Sequence, residues 1–313
     1  MSGSLALVVD QTGATLELGT HNTVSLIHAD GRRERVGIRA LGSVVLHGDV
    51  RLSTGVLQAL AANGVELTML PRWNHLPTIA FSRMPDRQVT LRHQQHMTYA
   101  NATYRMELAR RVVWAKLASM SDFAGCHAPE ENLSFYKAMR AAADVTNIEE
   151  LMGVEGAATR KHFDTLESLY KRTSPFCFNG RSRQPPRDEP NALMSLSYTL
   201  AQSQATQLVI QTGLDPQIGF LHTLSQDRDS FSLDIIEPAR AKLDAWVHTL
   251  LKEQGLLKPG MFEQSDESVR LTKEGRTLFY PAWFREGYRI ALSPMRKLLA
   301  TFLAHLRHKS PVF

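Results

Sequence analysis

The chain has 313 residues, 43% of them hydrophobic and 21% charged, which is the balance of a globular protein with an ordinary core in one large domain or two smaller ones. No run of about 18 apolar residues is present to cross a bilayer, and the start "MSGSLALVVDQTG" lacks the basic residues and apolar length of a signal peptide. Two cysteines, Cys126 and Cys177, exclude a disulfide framework and a cysteine zinc cluster and fit a reducing cytoplasm; 36 Lys and Arg against 31 Asp and Glu (+5) permit nucleic acid as a partner without requiring it.

The first 80 residues alternate with the period of strands. "LALVVD" (5–10) and "ATLELG" (14–19) flank a turn, and "TVSLIHADGRRERVGI" carries Asp30-Gly31 between two strand-like runs, a hairpin signal. "SVVLHG" predicts a further strand. "STGVLQALAANG" predicts a short helix with Ser53 as N-cap and Gly64 past its end, and "VELTMLP" another strand. The stretches 23–30 and 36–41 are expected to offer open strand edges, which invite pairing with a partner. "SRMPDRQVT" then reads as a polar hinge. Beyond it the period changes to that of amphipathic helices: a long one over 91–120, then 131–143, 147–171, 190–212, 234–254, 268–274 and 281–308. The sequence thus predicts an α+β chain: a β-rich N-terminal domain (1–82), a hinge (83–90) and a larger all-α C-terminal domain (91–313).

Three stretches carry chemistry. In "GFLHTLSQDRDSFSLDIIEPAR" (219–240), His222 ends an apolar run, and Asp234 and Glu237 share one helix face. In "ELMGVEGAATRKHF" (150–163), Glu155 stands between Gly153 and Gly156, each of which costs a helix interior about 1 kcal/mol relative to alanine. That pattern calls for close approach of a helix or a ligand backbone. Two readings are open: a salt-bridged core, with Glu155 paired to Arg160 or Lys161, or a mixed oxygen and nitrogen ligand set suited to Mg²⁺ or Mn²⁺. The third stretch, "NGRSRQPPRDEPN", places Arg181, Arg183 and Arg187 on an irregular loop, where guanidinium groups either bind phosphates or are simply solvated.

In this order the three stretches resemble one family, the CRISPR-associated integrase of spacer acquisition. The resemblance rests on "GVEGAATRKHF", "RSRQPPRDEPNALMS", "GFLH" followed by "SFSLDIIEPAR", "VRLTKEGRTLF", and "GDVRLSTGVLQALAANGVELTMLP" in the β-rich start, and so runs over nearly the whole chain. It implies that Glu155, His222 and Glu237 bind a divalent metal, Mg²⁺ or Mn²⁺, and that Asp234 is a further essential carboxylate. It assigns Arg181, Arg183, Arg187 and Arg240 to DNA. It also implies a prokaryotic cytoplasmic protein, dimeric through residues 1–82, that works with DNA and a small CRISPR-associated adaptation partner protein and with no membrane. Two departures stand out: an extra acid in Asp188-Glu189-Pro190, and Pro238 directly after Glu237, where a proline deletes a backbone bond and is expected to delay or kink the helix. The implied chemistry is attack of a DNA 3′-hydroxyl on a repeat-end phosphate, with Arg105, Arg110 and Arg111 adding phosphate contacts. The competing reading is a catalytically silent DNA-binding scaffold of the same fold.

Overall fold

The computed structural model describes residues 5–71, 78–81, 88–183, 185–226, 228–265 and 268–308. It contains two compact units: Met1–Gln88 with Thr206–Leu214, and Val89–Ala205 with Asp215–Phe313. A strand-rich first part is followed by a mostly helical one, the α+β architecture the periodicity predicts. The expected hinge falls largely on residues 82–87, outside the described residues.

The first unit contains β1 (Leu5–Val9), β2 (Thr15–Gly19), β3 (Thr23–Ile27), β4 (Arg33–Gly37), β5 (Leu41–His47), β6 (Arg51–Leu52), α1 (Thr54–Ala62), β7 (Glu66–Leu70) and β8 (Ile79–Phe81). One sheet has the order β1-β5-β7-β8 and the other β4-β3-β2-β6. The Asp30-Gly31 hairpin is present: Gly31 takes φ +86, Asp30 accepts the Arg32 N–H, and β3 pairs antiparallel with β4. Parallel pairing of β5 with β7 requires a crossover, and α1 lies within it. Ser53 caps α1 by accepting the Val56 N–H, and Gly64 closes it at φ +67. Leu16, Val24, Leu26, Ile38, Val44, Val56, Leu60 and Leu67 form a buried core of the unit's own. One expectation is corrected here. Residues 23–27 are an interior strand, paired on both sides; the edge is β4, whose exposed Arg33, Glu34 and Arg35 discourage further pairing.

The second unit is built on α2 (Val89–Ala100), α3 (Ala102–His127), α4 (Asn132–Asp144), α5 (Ile148–Thr173), the first part of α6 (Glu189–Gln211) and α7 (Ser230–Leu251). The two-stranded β9 (Phe262–Gln264) and β10 (Val269–Leu271), then α8 (Lys273–Ala282) and α9 (Tyr288–His308), complete it. α3 packs lengthwise on α7, with α4, α5 and α9 against it. Three expectations change. The long helix over 91–120 is broken at Asn101, which takes extended backbone and caps α3 by accepting the Tyr104 N–H. Residues 269–271 are a strand, buried-exposed-buried, and the helix begins only after the Thr272 N-cap. α7 begins at Ser230, ahead of the expected 234, and runs unbroken through Pro238.

At the end of α7, His248 is buried and its Nε2 lies 2.7 Å from the Thr173 hydroxyl, which itself donates to the Leu169 carbonyl. Burial, with His127 and Lys252 adding repulsion, pulls its pKa down to about 4. An unfolded histidine titrates near 6.5, so the unfolded chain binds the extra proton first, and stability falls as pH drops from about 6.5 to about 4. His248→Gln is expected to flatten that part of the acid limb in urea unfolding followed between pH 7 and 4.5. An unchanged slope would contradict the assignment.

Candidate active site

α7 carries three acids that are almost completely buried: Asp234 at 0% exposure, Glu237 at 4% and Asp244 at 1%. Burying a carboxylate is costly unless it is hydrogen-bonded or paired. Each of the three is satisfied differently, and together the three solutions form the site.

Asp234 is satisfied by backbone. Its carboxylate accepts the N–H groups of Phe220 (2.5 Å), Leu221 (3.1 Å) and His222 (3.1 Å). It also lies 2.7 Å from His222 Nδ1. The "GFLH" motif explains itself here. A Cβ on Gly219 would stand 2.7 Å from the backbone of Ser230, so only glycine lets the segment lie against the start of α7. Phe220 anchors it in an aromatic cluster with Phe231 and Phe302. Gln95 holds the preceding turn by donating to the carbonyls of Asp215 and Ile218 and accepting the Asp215 N–H. His222 is thereby fixed with Nδ1–H donated to Asp234, leaving Nε2 as the free ring nitrogen, 4.0 Å from Glu237 Oε1. Burial disfavours its charged form, but the hydrogen bond to Asp234 and the charges of Asp234 and Glu237 prevail, so its pKa is raised.

Glu237 is satisfied by cations. Arg240 Nε donates to its Oε1 at 2.9 Å, and the Lys116 ammonium lies 2.5 Å from its Oε2. Burial pushes the Glu237 carboxyl up; Arg240, Lys116 and His222 outweigh it and hold the group well below the usual carboxylate range. Lys116 comes from α3, is 7% exposed, and also donates to Glu155 Oε1, which accepts from the Thr159 hydroxyl as well. Glu155, His222, Asp234 and Glu237 thus lie along one chain of contacts, with Lys116 joining Glu155 to Glu237 and His222 lying between Glu237 and Asp234. Glu155 pairs with neither Arg160 nor Lys161; Lys161 bridges to Glu131. The helix-crossing explanation of the two glycines is also corrected. A Cβ on Gly153 would meet nothing within 4 Å, and one on Gly156 would meet only the Arg160 guanidinium at 3.9 Å, so the surface of α5 at the two glycines is open.

The family model described as "CRISPR associated protein Cas1" matches residues 7–285. The chain belongs to the Cas1 family. It is 32% identical over 274 residues to the CRISPR-associated endonuclease Cas1 1 of Thermus thermophilus, covering 87% of this chain and 83% of that protein. The structure of a CAS1 protein from Thermotoga maritima superposes with a TM-score of 0.84 at 26% identity, covering 99% of both chains. A casposase bound to its integration product shares the fold at a TM-score of 0.80 and 19% identity, over 98% of this chain and 92% of the other.

In this Cas1-family chain the arginine loop divides in two. Arg181 is engaged internally: its guanidinium donates to Asn191 Oδ1 (2.8 Å), Ser195 Oγ (3.1 Å) and the Ser182 carbonyl, and lies over the Tyr198 ring. Asn191, fully buried, ties the loop to the start of α6 through Gly180, Ser182 and Asp188. Arg183 and Arg187 are exposed. Arg240 lies against the same Tyr198 ring, at 4.7 Å, and the Tyr198 hydroxyl donates to Asp244. Asp244 is completed by His162 Nε2 at 2.8 Å. Of the α3 arginines, Arg105 donates to the Phe220 carbonyl, Arg110 to the carbonyls of Ala142 and Val145, and the partly exposed Arg111 pairs with Glu107 one turn away.

Sequence reasoning missed Lys116, Tyr198, His162 and Asp244. Lys116 left a signal: it follows Val112 and Val113 by four and three residues and precedes Leu117 and Met120, which puts it on the apolar face of α3.

Asp234 is a positioning residue, and its loss is expected to release His222. Asp234→Asn should lower the titration midpoint of His222, followed by NMR on the metal-free protein, and destabilise the fold by about 1–3 kcal/mol through poorly matched backbone donors. An unchanged His222 midpoint would contradict this arrangement.

Proposed function

We propose that this chain is a divalent-metal-dependent DNA nuclease and integrase of CRISPR adaptation, joining a DNA 3′-hydroxyl to a phosphate at the repeat end. The observation that carries the reading is that one ammonium joins Glu155 to Glu237 while His222 Nε2 lies 4.0 Å from Glu237 Oε1, its Nδ1 already committed to Asp234. Histidines that bind metals are typically oriented in this way by a carboxylate on the other ring nitrogen. The Thermus relative's description as an endonuclease and the casposase's bound integration product agree with it.

Among the described residues no group of three His, Cys, Asp or Glu side chains stands ready-made as a metal cage. The donor set nonetheless fits a hard cation. It offers two carboxylates and one imidazole nitrogen, and the buried Glu237 Oε2 already faces a cation, the Lys116 ammonium at 2.5 Å. Glu155, Glu237 and His222 Nε2 would hold Mg²⁺ or Mn²⁺, the imidazole favouring Mn²⁺. When bound, such an ion lowers the pKa of the attacking hydroxyl and neutralises charge developing on the phosphate.

The protein's own groups perform the rest. Asp234 orients His222 through Nδ1, and Arg240 fixes the rotamer of Glu237 from the side facing Tyr198. The uncovered backbone at Gly153 and Gly156 leaves room on the neighbouring faces of α5 for a nucleic-acid backbone. Arg183 and Arg187, exposed on the loop, bind phosphates, while Arg181 and Arg240 support the site from within. Since the nucleophile belongs to DNA, no protein nucleophile is needed. The chain works as a homodimer through residues 1–82, a two-fold arrangement that presents two sites to the two ends of a fragment, together with the small adaptation partner protein its sequence resemblance implies. Among the described residues, no helix is long and apolar enough to cross a membrane.

Glu155→Ala, His222→Ala and Glu237→Ala are each expected to abolish Mn²⁺-dependent strand transfer of a fragment with a free 3′-hydroxyl into repeat DNA, with far-UV circular dichroism unchanged. Full activity in Glu155→Ala would refute the site. Equal transfer from a fragment lacking the 3′-hydroxyl would refute the reaction.

A further inference from the structure

Lys116 is the feature of this site that neither its sequence motifs nor a metal-ligand reading accounts for. A lysine only 7% exposed is a costly choice unless its charge is needed where it sits. Its ammonium contacts Glu155 Oε1 and Glu237 Oε2, the same two carboxylates that would coordinate the metal. Arg240 already pairs with Glu237 Oε1, so Lys116 is the cation that bridges the two acids and, among the described residues, the basic partner of Glu155.

We propose that Lys116 is a resident counter-ion: it holds Glu155 and Glu237 at cation-binding separation while no metal is bound, and a divalent ion enters by displacing its ammonium. Three observations support exchange over coexistence. The ammonium touches one oxygen of each carboxylate, so an ion coordinated by both acids would share its immediate space. An ammonium and a divalent ion held together in a buried site repel each other strongly. A lysine is also suited to leave: its single charge rides on a flexible four-carbon stem, whereas the planar guanidinium of Arg240 is fixed by Glu237 and the Tyr198 ring. Glu155 is 19% exposed, so the carboxylate that the ammonium bridges is reachable from solvent.

The inference rests on the metal-site reading above, and calorimetry separates the two. Mn²⁺ is titrated into the full-length wild type, Glu155→Gln and Lys116→Met, and thermal unfolding of each is recorded with and without Mn²⁺. Wild type should bind Mn²⁺ and Glu155→Gln should not. Lys116→Met should unfold at a lower temperature than wild type without metal, regain that loss when Mn²⁺ is added, and bind Mn²⁺ about tenfold or more tightly, because no ammonium has to be expelled. If Lys116→Met does not fold, Lys116→Gln, which keeps a hydrogen-bond donor but no charge, takes its place. Equal or weaker Mn²⁺ binding by the lysine variant, while wild type binds normally, overturns the exchange and leaves the metal site standing. No Mn²⁺ binding by wild type or variant overturns both.

Discussion

Everything at this site follows from one constraint: α7 buries three carboxylates that cannot be left unpaired. Asp234, Glu237 and Asp244 follow one another at helical spacing along the inward face of the helix, and each recruits a different part of the fold. Asp234 takes the backbone of 220–222, Glu237 takes Lys116 and Arg240, and Asp244 takes Tyr198 and His162. The segment 219–223, helices α3, α5 and α6, and the arginine loop are all tied to this one helix. Removing one partner of a buried ionic group is commonly worth about 3–5 kcal/mol, so the network makes the position of each functional side chain a condition of folding.

That coupling explains the geometry of His222. A lone imidazole at the end of an apolar run is free to rotate and to take either tautomer. Here its backbone N–H and its Nδ1 both address Asp234, and the same carboxylate fixes the two preceding residues. Gly219 lets the segment approach, and Phe220 keeps it down. The outcome is one ring nitrogen aimed toward Glu237.

Much of this was legible in the sequence, and the reasons for the remainder are physical. Asp30-Gly31 names its hairpin because two residues suffice to make the turn. "GFLH" and "DIIE" were legible because an imidazole closing an apolar run, and two acids three residues apart on one helix face, stand out among apolar neighbours. The strand at 269–271 was not legible, since three residues of alternating burial sit directly before a capped helix and borrow its period. The break at Asn101 was hidden because the hydrophobic spacing continues across it and only the cap interrupts the chain direction. Lys116 and Asp244 were passed over for a common reason: a charged residue on an amphipathic helix is normally solvated, and only the identity of its distant partner shows otherwise. Arg181 is the converse, a loop arginine suited to phosphate that the fold has already engaged through Asn191 and Tyr198.

The central claim is that Glu155, Glu237 and His222 surround a divalent-cation position. Anomalous diffraction at the manganese edge, from crystals of the full chain soaked in Mn²⁺, tests it most directly. The account predicts an anomalous peak bounded by the two carboxylates and His222 Nε2, with Asp234 outside the coordination sphere and still bound to Nδ1. Anomalous density elsewhere, with the Lys116 ammonium still bridging Glu155 and Glu237, would contradict it.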